Sequence, residues 1–164
     1  NVTIAQTTAL AIGPGAVTFA SIAQGGTNTT SSNDPLLLNN TGNKHIPTGS
    51  IDINVTRLVG ETDSGKAIYS GNITISNSTG ASNPECDSNG TAGRTAAIMN
   101  ITSGRFANVN ASSVTANMSR GNHSANDGST GQEQLYICIT LAGSELTQQA
   151  YSTASQGAWT IQVT

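Results

Sequence analysis

The stretch LLLNNTGNKHIPTGSIDINVTRL, residues 36–58, contains two apolar runs. A polar segment, NNTGN at residues 39–43, follows the first run, and we call it the elbow. The first run, residues 36–38, is fully apolar, and the second, residues 51–58, alternates apolar with polar side chains. This alternation has the period of two that places every other side chain of a β-strand on one face. Asn and Gly, which tolerate positive φ, occupy four of residues 39–43, NNTGN, and predict a tight reversal there. The stretch therefore predicts two β-strands, joined through this turn and a second loop at residues 47–49.

Short segments with the same strand character recur along the whole chain, bounded by Gly, Asn or Pro. Further strands are predicted within residues 1–5, 9–15, 16–26, 66–77, 95–102, 105–110, 112–119, 133–143 and 157–164. Residues 133–143 are apolar at nearly every position, so both faces of that strand are expected to be buried. Residues 144–154 are compatible with a short helix or a 3₁₀ turn, and no segment has a sustained helical period. The pattern predicts an all-β fold, a single Ig-like β-sandwich of Greek-key or jelly-roll-like topology.

The chain is poor in charged residues and rich in Ser, Thr, Asn and Gly. Charged residues make up 9% of the chain, against about 25% in an average domain, and the net charge is -3. Because the chain has no basic stretch, nucleic acid and anionic membrane are poor candidates as partners. The longest apolar runs have about four or five residues, which is too short for a membrane span.

The tripeptide Asn-x-Ser/Thr occurs eleven times, more than twice as often as this composition gives by chance. The acceptor positions are Asn1, Asn28, Asn39, Asn54, Asn72, Asn77, Asn89, Asn100, Asn110, Asn117 and Asn122. Several of them are predicted to carry N-linked glycans, which hydrate a surface without charge. Glycans imply a secretory route, and an Asn- and Thr-rich β protein would by itself account for part of the excess.

Two cysteines, Cys86 and Cys138, agree with an exported protein. An even pair predicts one disulfide, which would join a loop to a strand and close a loop of about fifty residues. The alternative is two unpaired thiols. The chain opens on a sequon rather than on a signal peptide, as the mature form of an exported protein would. We therefore expect an extracellular, cell-surface location.

No arrangement of side chains in the sequence is typical of an enzyme. The two histidines, His45 and His123, lie in polar turns without the spacing of a zinc site. No His-Glu-x-x-His, Gly-x-Ser-x-Gly or phosphate-binding loop occurs. Acidic residues in stretches such as ETDSGK, residues 61–66, favour Asx turns over calcium loops. We expect no catalytic residue, no metal and no cofactor other than glycans.

Two stretches carry a resemblance to a known family. They are VTFASIAQGGTN followed by DPLLLNNTGNKHIPTGSIDINVT, within residues 13–58, and GAWTIQVT at residues 157–164. Together they resemble the camelysin/TasA type of secreted fibre subunit and similar archaeal extracellular pilins of the bundling-pilus or thread type. The high sequon count is similar to the archaeal filaments. The resemblance implies an Ig-like sandwich that forms a helical polymer of identical subunits, serving adhesion or biofilm.

Residues 1–12, NVTIAQTTALAI, are apolar, alternating and nearly uncharged, and Gly13, Pro14 and Gly15 follow them as a hinge. Such a segment can complete its own sandwich, or it can complete the sheet of a neighbouring subunit by donor-strand complementation. The resemblance implies the second role, with residues 1–12 as the donor and residues 13–164 as the β-sandwich domain. The side chains expected to fill the neighbour are Val2, Ile4, Ala9, Leu10 and Ile12.

Two alternatives to a filament subunit share these features. One is a monomeric Ig-like surface domain that binds glycan or protein, and the other is an S-layer-type lattice protein. A binding domain is expected to expose aromatic side chains, but the aromatics here lie mostly in strand-like runs, which favours the core. They are Phe19, Tyr69, Phe106, Tyr136, Tyr151 and Trp159. Tyr151 and Trp159 lie near the end of the chain, where packing against an acceptor groove is the alternative.

Overall fold

A computed structural model describes residues 2–46, 51–76, 86, 96–98, 106–108 and 131–163. The strands are β1 (Leu10–Gly13), β2 (Thr27–Thr30), β3 (Leu36–Asn40), β4 (Ile51–Asn54), β5 (Leu58–Gly60), β6 (Ala67–Ile68), β7 (Ile73–Ser76), β8 (Ala96–Ile98), β9 (Phe106–Asn108), β10 (Gln132–Leu141), β11 (Tyr151–Ser152) and β12 (Thr160–Val163). A 3₁₀ turn, Ser70–Asn72, precedes β7. All the strand pairs are antiparallel, so the all-β prediction is confirmed.

Strand β10 organises a six-stranded sheet with the order β1-β3-β10-β7-β8, in which β2 also pairs with β10. The first part of β10 pairs with β3, where Leu135 lies opposite Leu36. Its second part pairs with β2, where Cys138 lies opposite Thr30. Strand β2 has the polar sequence TNTT, and the sequence pattern did not predict it. Its pairing with β10 shows that tertiary contacts override local propensity there.

Two three-stranded sheets, β11-β5-β6 and β12-β4-β9, supply the other layer. The sequence predicts one strand with a bulge over residues 51–58, whereas the chain forms two strands separated by residues 55–57. Side-chain hydrogen bonds replace the ladder at the break. Trp159 Nε1 donates to the Thr56 carbonyl at 3.0 Å, and Thr56 Oγ1 donates to the Gly157 carbonyl at 2.9 Å.

One hydrophobic core joins the sheets. Its members are Leu36, Leu38, Ile46, Ile51, Ile53, Val55, Leu58, Ile68, Ile73, Ile75, Leu135, Ile137, Ile139, Ala142 and Leu146. The alternating side chains that the sequence places on the inner faces of β4, β5, β6 and β7 are among them. Antiparallel sheets packed around a shared apolar core make the protein a β-sandwich.

Both faces of β10 are at least half-buried from Gln132 to Thr140, close to what its apolar sequence predicts, whereas Leu141 at its end is 42% exposed. Ile137 and Ile139 face the core, whereas Cys138 lies between them in sequence and faces the opposite side with 0% exposure. The predicted disulfide is confirmed, because Cys138 is bonded to Cys86 with their Cα atoms 5.2 Å apart. Cys86 therefore covers the outer face of the central strand.

The tight reversal predicted at residues 39–43 does not form there. Asn39 and Asn40 belong to β3, and the N–H groups of Thr41 and Asn43 continue its antiparallel pairing to the carbonyls of Ala9 and Thr7. None of residues 39–43 has positive φ; the residues that do, within the described chain, are Asn28, Gly25 and Gly157. The chain bends at residues 42–44, and the Asn40 side chain fixes this bend. Its Oδ1 accepts from the Gly42 N–H at 3.0 Å, and its Nδ2 donates to the Lys44 carbonyl at 2.8 Å.

Other strand predictions have mixed outcomes. Residues 1–5 form no strand where they are described, and residues 112–119 lie outside the described residues. Residues 144–154 contain turns and β11 rather than a helix. The Asx turn predicted in residues 61–66 is present, since the Gly65 N–H donates to Asp63 Oδ1 at 2.9 Å.

Candidate functional site

A long apolar groove opens along one side of the sandwich. It lies between residues 14–24 on one rim and residues 146–161 on the other, and has a volume of about 1290 Å³. Core side chains from both layers form its floor: Leu36, Ile53, Leu58, Ile68, Ile137 and Ile139. Small-molecule sites usually hold roughly 300–1,000 Å³, so this groove fits a longer, apolar occupant.

The first rim, residues 14–24, lies outside the sheet ladders, with bends at residues 14–16 and a turn at residues 24–25. Val17, Phe19 and Ile22 are half-buried and pack against the core at the spacing that the sequence predicts. The predicted strand does not form, because the segment makes only an isolated bridge, between Phe19 and Ser31. The groove is therefore bounded on this side by chain that fills the edge of the sandwich without completing the sheet.

Side chains, rather than a ladder, hold this rim in place. Asn33 Nδ2 donates to the Ala16 carbonyl at 2.7 Å, and the Thr18 N–H donates to Asn33 Oδ1 at 2.9 Å. At the far end, Gln24 Nε2 donates to the Leu146 carbonyl at 2.8 Å. The Ser32 N–H also donates to the Thr18 carbonyl at 2.7 Å, beside the Phe19–Ser31 bridge, so the rim is attached near residues 16–19 and at Gln24 without a continuous ladder.

The second rim contains β11 and β12. Among the described residues, β11 pairs with β5 alone and β12 pairs with β4 alone, which leaves one backbone edge of each strand without a ladder partner. Tyr151 and Trp159, which the sequence suggested for an acceptor groove, both line the groove between the two rims. An apolar floor beside unpaired strand edges is the arrangement that accepts an additional extended strand.

The five predicted donor side chains lie in two environments. Val2 and Ile4 belong to an extended segment that precedes β1, and they are 91% and 78% exposed. Leu10 and Ile12 lie in β1, which pairs with β3 of the same chain, Leu10 opposite Asn40. Ala9 is half-buried between these two groups. We use the name tail for residues 2–9 from here on.

The tail and the groove lie at different ends of β10. The Asn39–Asn40 end of β3, where β1 begins, lies beside Gln132 at the start of β10. The groove is lined by residues further along β10, including Ile139 and Ala142 just beyond its end. Gln132 and Ala142 are ten residues apart, about 33 Å in an extended chain. The tail therefore leaves the domain at one end, and the groove extends toward the other.

Three sequon asparagines have described side chains. Asn28 in β2 is exposed. Asn39 in β3 is half-buried, and its Oδ1 accepts a hydrogen bond from Gln132 Nε2 at 2.6 Å. Asn72 is half-buried in the 3₁₀ turn. Asn54 lies in β4, whereas Asn1, Asn77, Asn89, Asn100, Asn110, Asn117 and Asn122 lie outside the described residues.

Three features of the site were not predicted from the sequence: which segments bound the groove, the Asn33 contacts with its rim, and contacts between Asn43 and the tail. The polar loops that carry these asparagines looked like simple turns, and side-chain contacts with distant backbone leave no periodic signal. Within the described part of the chain, no group of three or more His, Cys, Asp or Glu is arranged to hold a metal. No described helix is long and apolar enough to cross a bilayer. Comparison of the chain with protein families, curated proteins and solved structures gives no match.

Proposed function

We propose that the protein is the structural subunit of an extracellular filament, in which the tail of one copy fills the groove of the next. The observation that carries the proposal is an open apolar groove at one end of a domain whose other end exposes Val2 and Ile4. The exposed apolar side chains of Val2 and Ile4 and an apolar groove with free strand edges are complementary surfaces. In this proposal the domain is an Ig-like sandwich that becomes complete only when it receives the neighbour's strand.

The lengths of the two parts agree. The tail, residues 2–9, spans about 26 Å when extended, at about 3.3 Å per residue. The groove follows β10 from the level of Leu135, opposite the lining residue Leu36, to Ala142. That distance is about 23 Å at the same rise per residue. A strand of seven or eight residues is thus the occupant that the groove fits.

We propose the tail as the donor in place of the longer segment, residues 1–12. Leu10 and Ile12 pair with β3 of their own chain, so we assign them to the subunit's own sandwich. Strand β1 then anchors the tail to the domain. Because tail and groove are different surfaces toward opposite ends of one molecule, their contact is heterologous, and repetition of such a contact with a rotation that does not close into a ring produces an open helical polymer.

The disulfide supports an oxidising location outside the cytoplasm. We propose an extracellular, cell-surface location, with N-linked glycans covering the outside of the polymer in place of charge. Adhesion or biofilm formation is the role that such a filament would serve. The subunits are identical, and the proposal needs no metal and no cofactor.

The experiment compares Ile4→Glu with Thr3→Glu by electron microscopy and sedimentation. Both side chains are exposed in the subunit, so neither substitution should change the subunit's free energy of unfolding by more than about 0.5 kcal/mol. In an extended strand they point to opposite faces. We expect Ile4→Glu to remain monomeric because the charge would enter the apolar groove, and Thr3→Glu to assemble like the wild type. Assembly of both variants, or a wild type that remains monomeric, would favour the surface-domain alternative.

A further inference from the structure

The tail is not free in the subunit, because the polar elbow at the end of β3 binds its backbone. Asn43 Nδ2 donates to the Ala5 carbonyl at 2.9 Å, and the Thr7 N–H donates to Asn43 Oδ1 at 2.7 Å. The backbone adds two bonds, from Asn43 N–H to the Thr7 carbonyl at 3.1 Å and from Thr41 N–H to the Ala9 carbonyl at 3.0 Å. The elbow therefore continues the β1–β3 pairing along the tail.

Gly42 lets the tail approach the elbow this closely. A Cβ atom at Gly42 would contact the Thr7 carbonyl oxygen and would lie 2.8 Å from the Ala9 nitrogen, both of them backbone atoms. Gly42 is itself buried. The Asn40 side chain fixes the position of Gly42 by accepting from its N–H and donating to the Lys44 carbonyl. The elbow is thus a preformed binding site for the backbone of residues 5–9.

This contact holds the tail by polar bonds alone at its outer end. Val2 and Ile4 remain exposed, so they gain nothing from it by apolar burial. Asn43 and Thr7 are also exposed, and hydrogen bonds that compete with water contribute little net stability each. A groove that buries Val2 and Ile4 would therefore compete effectively with the elbow.

We propose that residues 40–43 form a latch that holds the tail on its own domain before assembly and releases it when the tail enters a neighbour's groove. This inference rests on the proposed function. In the unassembled subunit the latch prevents non-specific strand pairing by the backbone of residues 5–9. The latch opens before the tail is transferred to the neighbour. Weakening the latch should therefore speed assembly, whereas a contact that only stabilises the assembled form would slow it when weakened.

The first test measures hydrogen exchange of the tail amides in the monomer, with Ile4→Glu present to prevent assembly. Asn43→Ala and Gly42→Ala should raise the exchange rate at Thr7 by up to about tenfold, the effect of losing about one net hydrogen bond. Asn33→Ala is the matched control because it removes the same pair of bonds from residues 16–18 instead. It should speed exchange at Thr18 and leave Thr7 unchanged. Equal Thr7 exchange in wild type and Asn43→Ala would show that the elbow does not hold the tail.

The second test measures the lag time of filament formation without the Ile4 substitution. We expect Asn43→Ala and Gly42→Ala to shorten the lag several-fold relative to the wild type. Gly13→Ala is the control for adding a methyl group, since a Cβ there meets nothing within 4 Å and Gly13 does not line the groove, and it should leave both tail exchange and the lag unchanged. If the wild type assembles and the latch variants have an equal or longer lag, the latch is wrong and the proposed function stands. If the wild type forms no filaments, the proposed function fails together with the role of the latch.

Discussion

Asn33 and Asn43 hold two separate stretches of backbone with the same pair of hydrogen bonds. Each side-chain amide accepts from one N–H and donates to the carbonyl two residues earlier, Asn33 on residues 16–18 and Asn43 on residues 5–7. An amide in this position imitates one residue of a neighbouring strand. Beyond these side-chain bonds, the stretch held by Asn33 makes only an isolated bridge, whereas backbone hydrogen bonds continue the β1–β3 pairing along the stretch held by Asn43.

The proposed head-to-tail contact can be tested with two variants that are defective in different surfaces. Ile4→Glu alters the tail and leaves the groove intact. Ala158→Glu alters an exposed residue that lines the groove and leaves the tail intact. Each variant alone should be monomeric, because each lacks one half of the contact. A 1:1 mixture should form dimers by sedimentation velocity and no filaments, since only one productive contact is possible.

Matched controls for this mixture are Thr3→Glu and wild-type protein, each of which should assemble alone. Filaments from the mixture of Ile4→Glu and Ala158→Glu would contradict a contact that uses one tail and one groove per interface. Two variants that remain monomeric when mixed would place the tail outside the groove.

Assembly should depend little on salt. Neither the tail nor the lining of the groove contains an Asp, Glu, Lys, Arg or His. Because screening weakens only charged contacts, we expect the growth rate to change less than about twofold between 50 and 500 mM NaCl. Light scattering at constant protein concentration measures the rate. A several-fold fall with rising salt would indicate that charged surfaces, rather than this groove, carry the interface.

Loss of the disulfide should destabilise the subunit. Cys86 and Cys138 are 52 residues apart, and closing a loop of that length stabilises a fold by about 4 kcal/mol through the entropy of the unfolded chain. We expect Cys86→Ala/Cys138→Ala to lower the free energy of unfolding by about 3–4 kcal/mol in urea. The wild type under reducing conditions should lose a similar amount. An unchanged urea midpoint in both samples would show that the bridge contributes nothing to stability.

Of the sequons with described side chains, Asn28 is the best placed to carry a glycan. Its side chain is exposed, whereas Asn39 lies in a strand paired on both sides and binds Gln132. Glycopeptide mass spectrometry of the native protein should find Asn28 occupied and Asn39 largely unoccupied. Asn28→Gln should remove one glycan mass, and Asn39→Gln should remove none. The opposite pattern would contradict the placement of these strands.

Much of the fold could be predicted from the sequence, because burial imposes a period on the side chains. The alternation of Ile51, Ile53 and Val55 and the continuous apolar run of β10 placed their residues in the core correctly. The disulfide followed from an even cysteine count in a chain with exported character. These signals are local, or depend on residue type alone.

The site could be predicted only in part. The apolar side chains of the tail, Val2 and Ile4, could be identified from the sequence because they alternate with polar residues and have no charged neighbours. The groove depends on which strand edges remain unpaired, and that depends on long-range register. Val17, Phe19 and Ile22 alternate like a strand, yet their segment lacks a continuous ladder. Nothing in their sequence distinguishes a paired strand from a rim. The contacts of Asn43 could not be predicted either. An asparagine that only forms a turn and an asparagine that binds distant backbone look the same in a sequence.

The most direct test of the account is an electron cryomicroscopy map of the assembled protein at side-chain resolution. The account predicts that residues 2–9 of each subunit lie extended in the groove of the next, with Val2 and Ile4 on the apolar floor and the Asn43 contacts open. A map in which the groove is empty, or in which each tail remains bound to its own elbow, would contradict it.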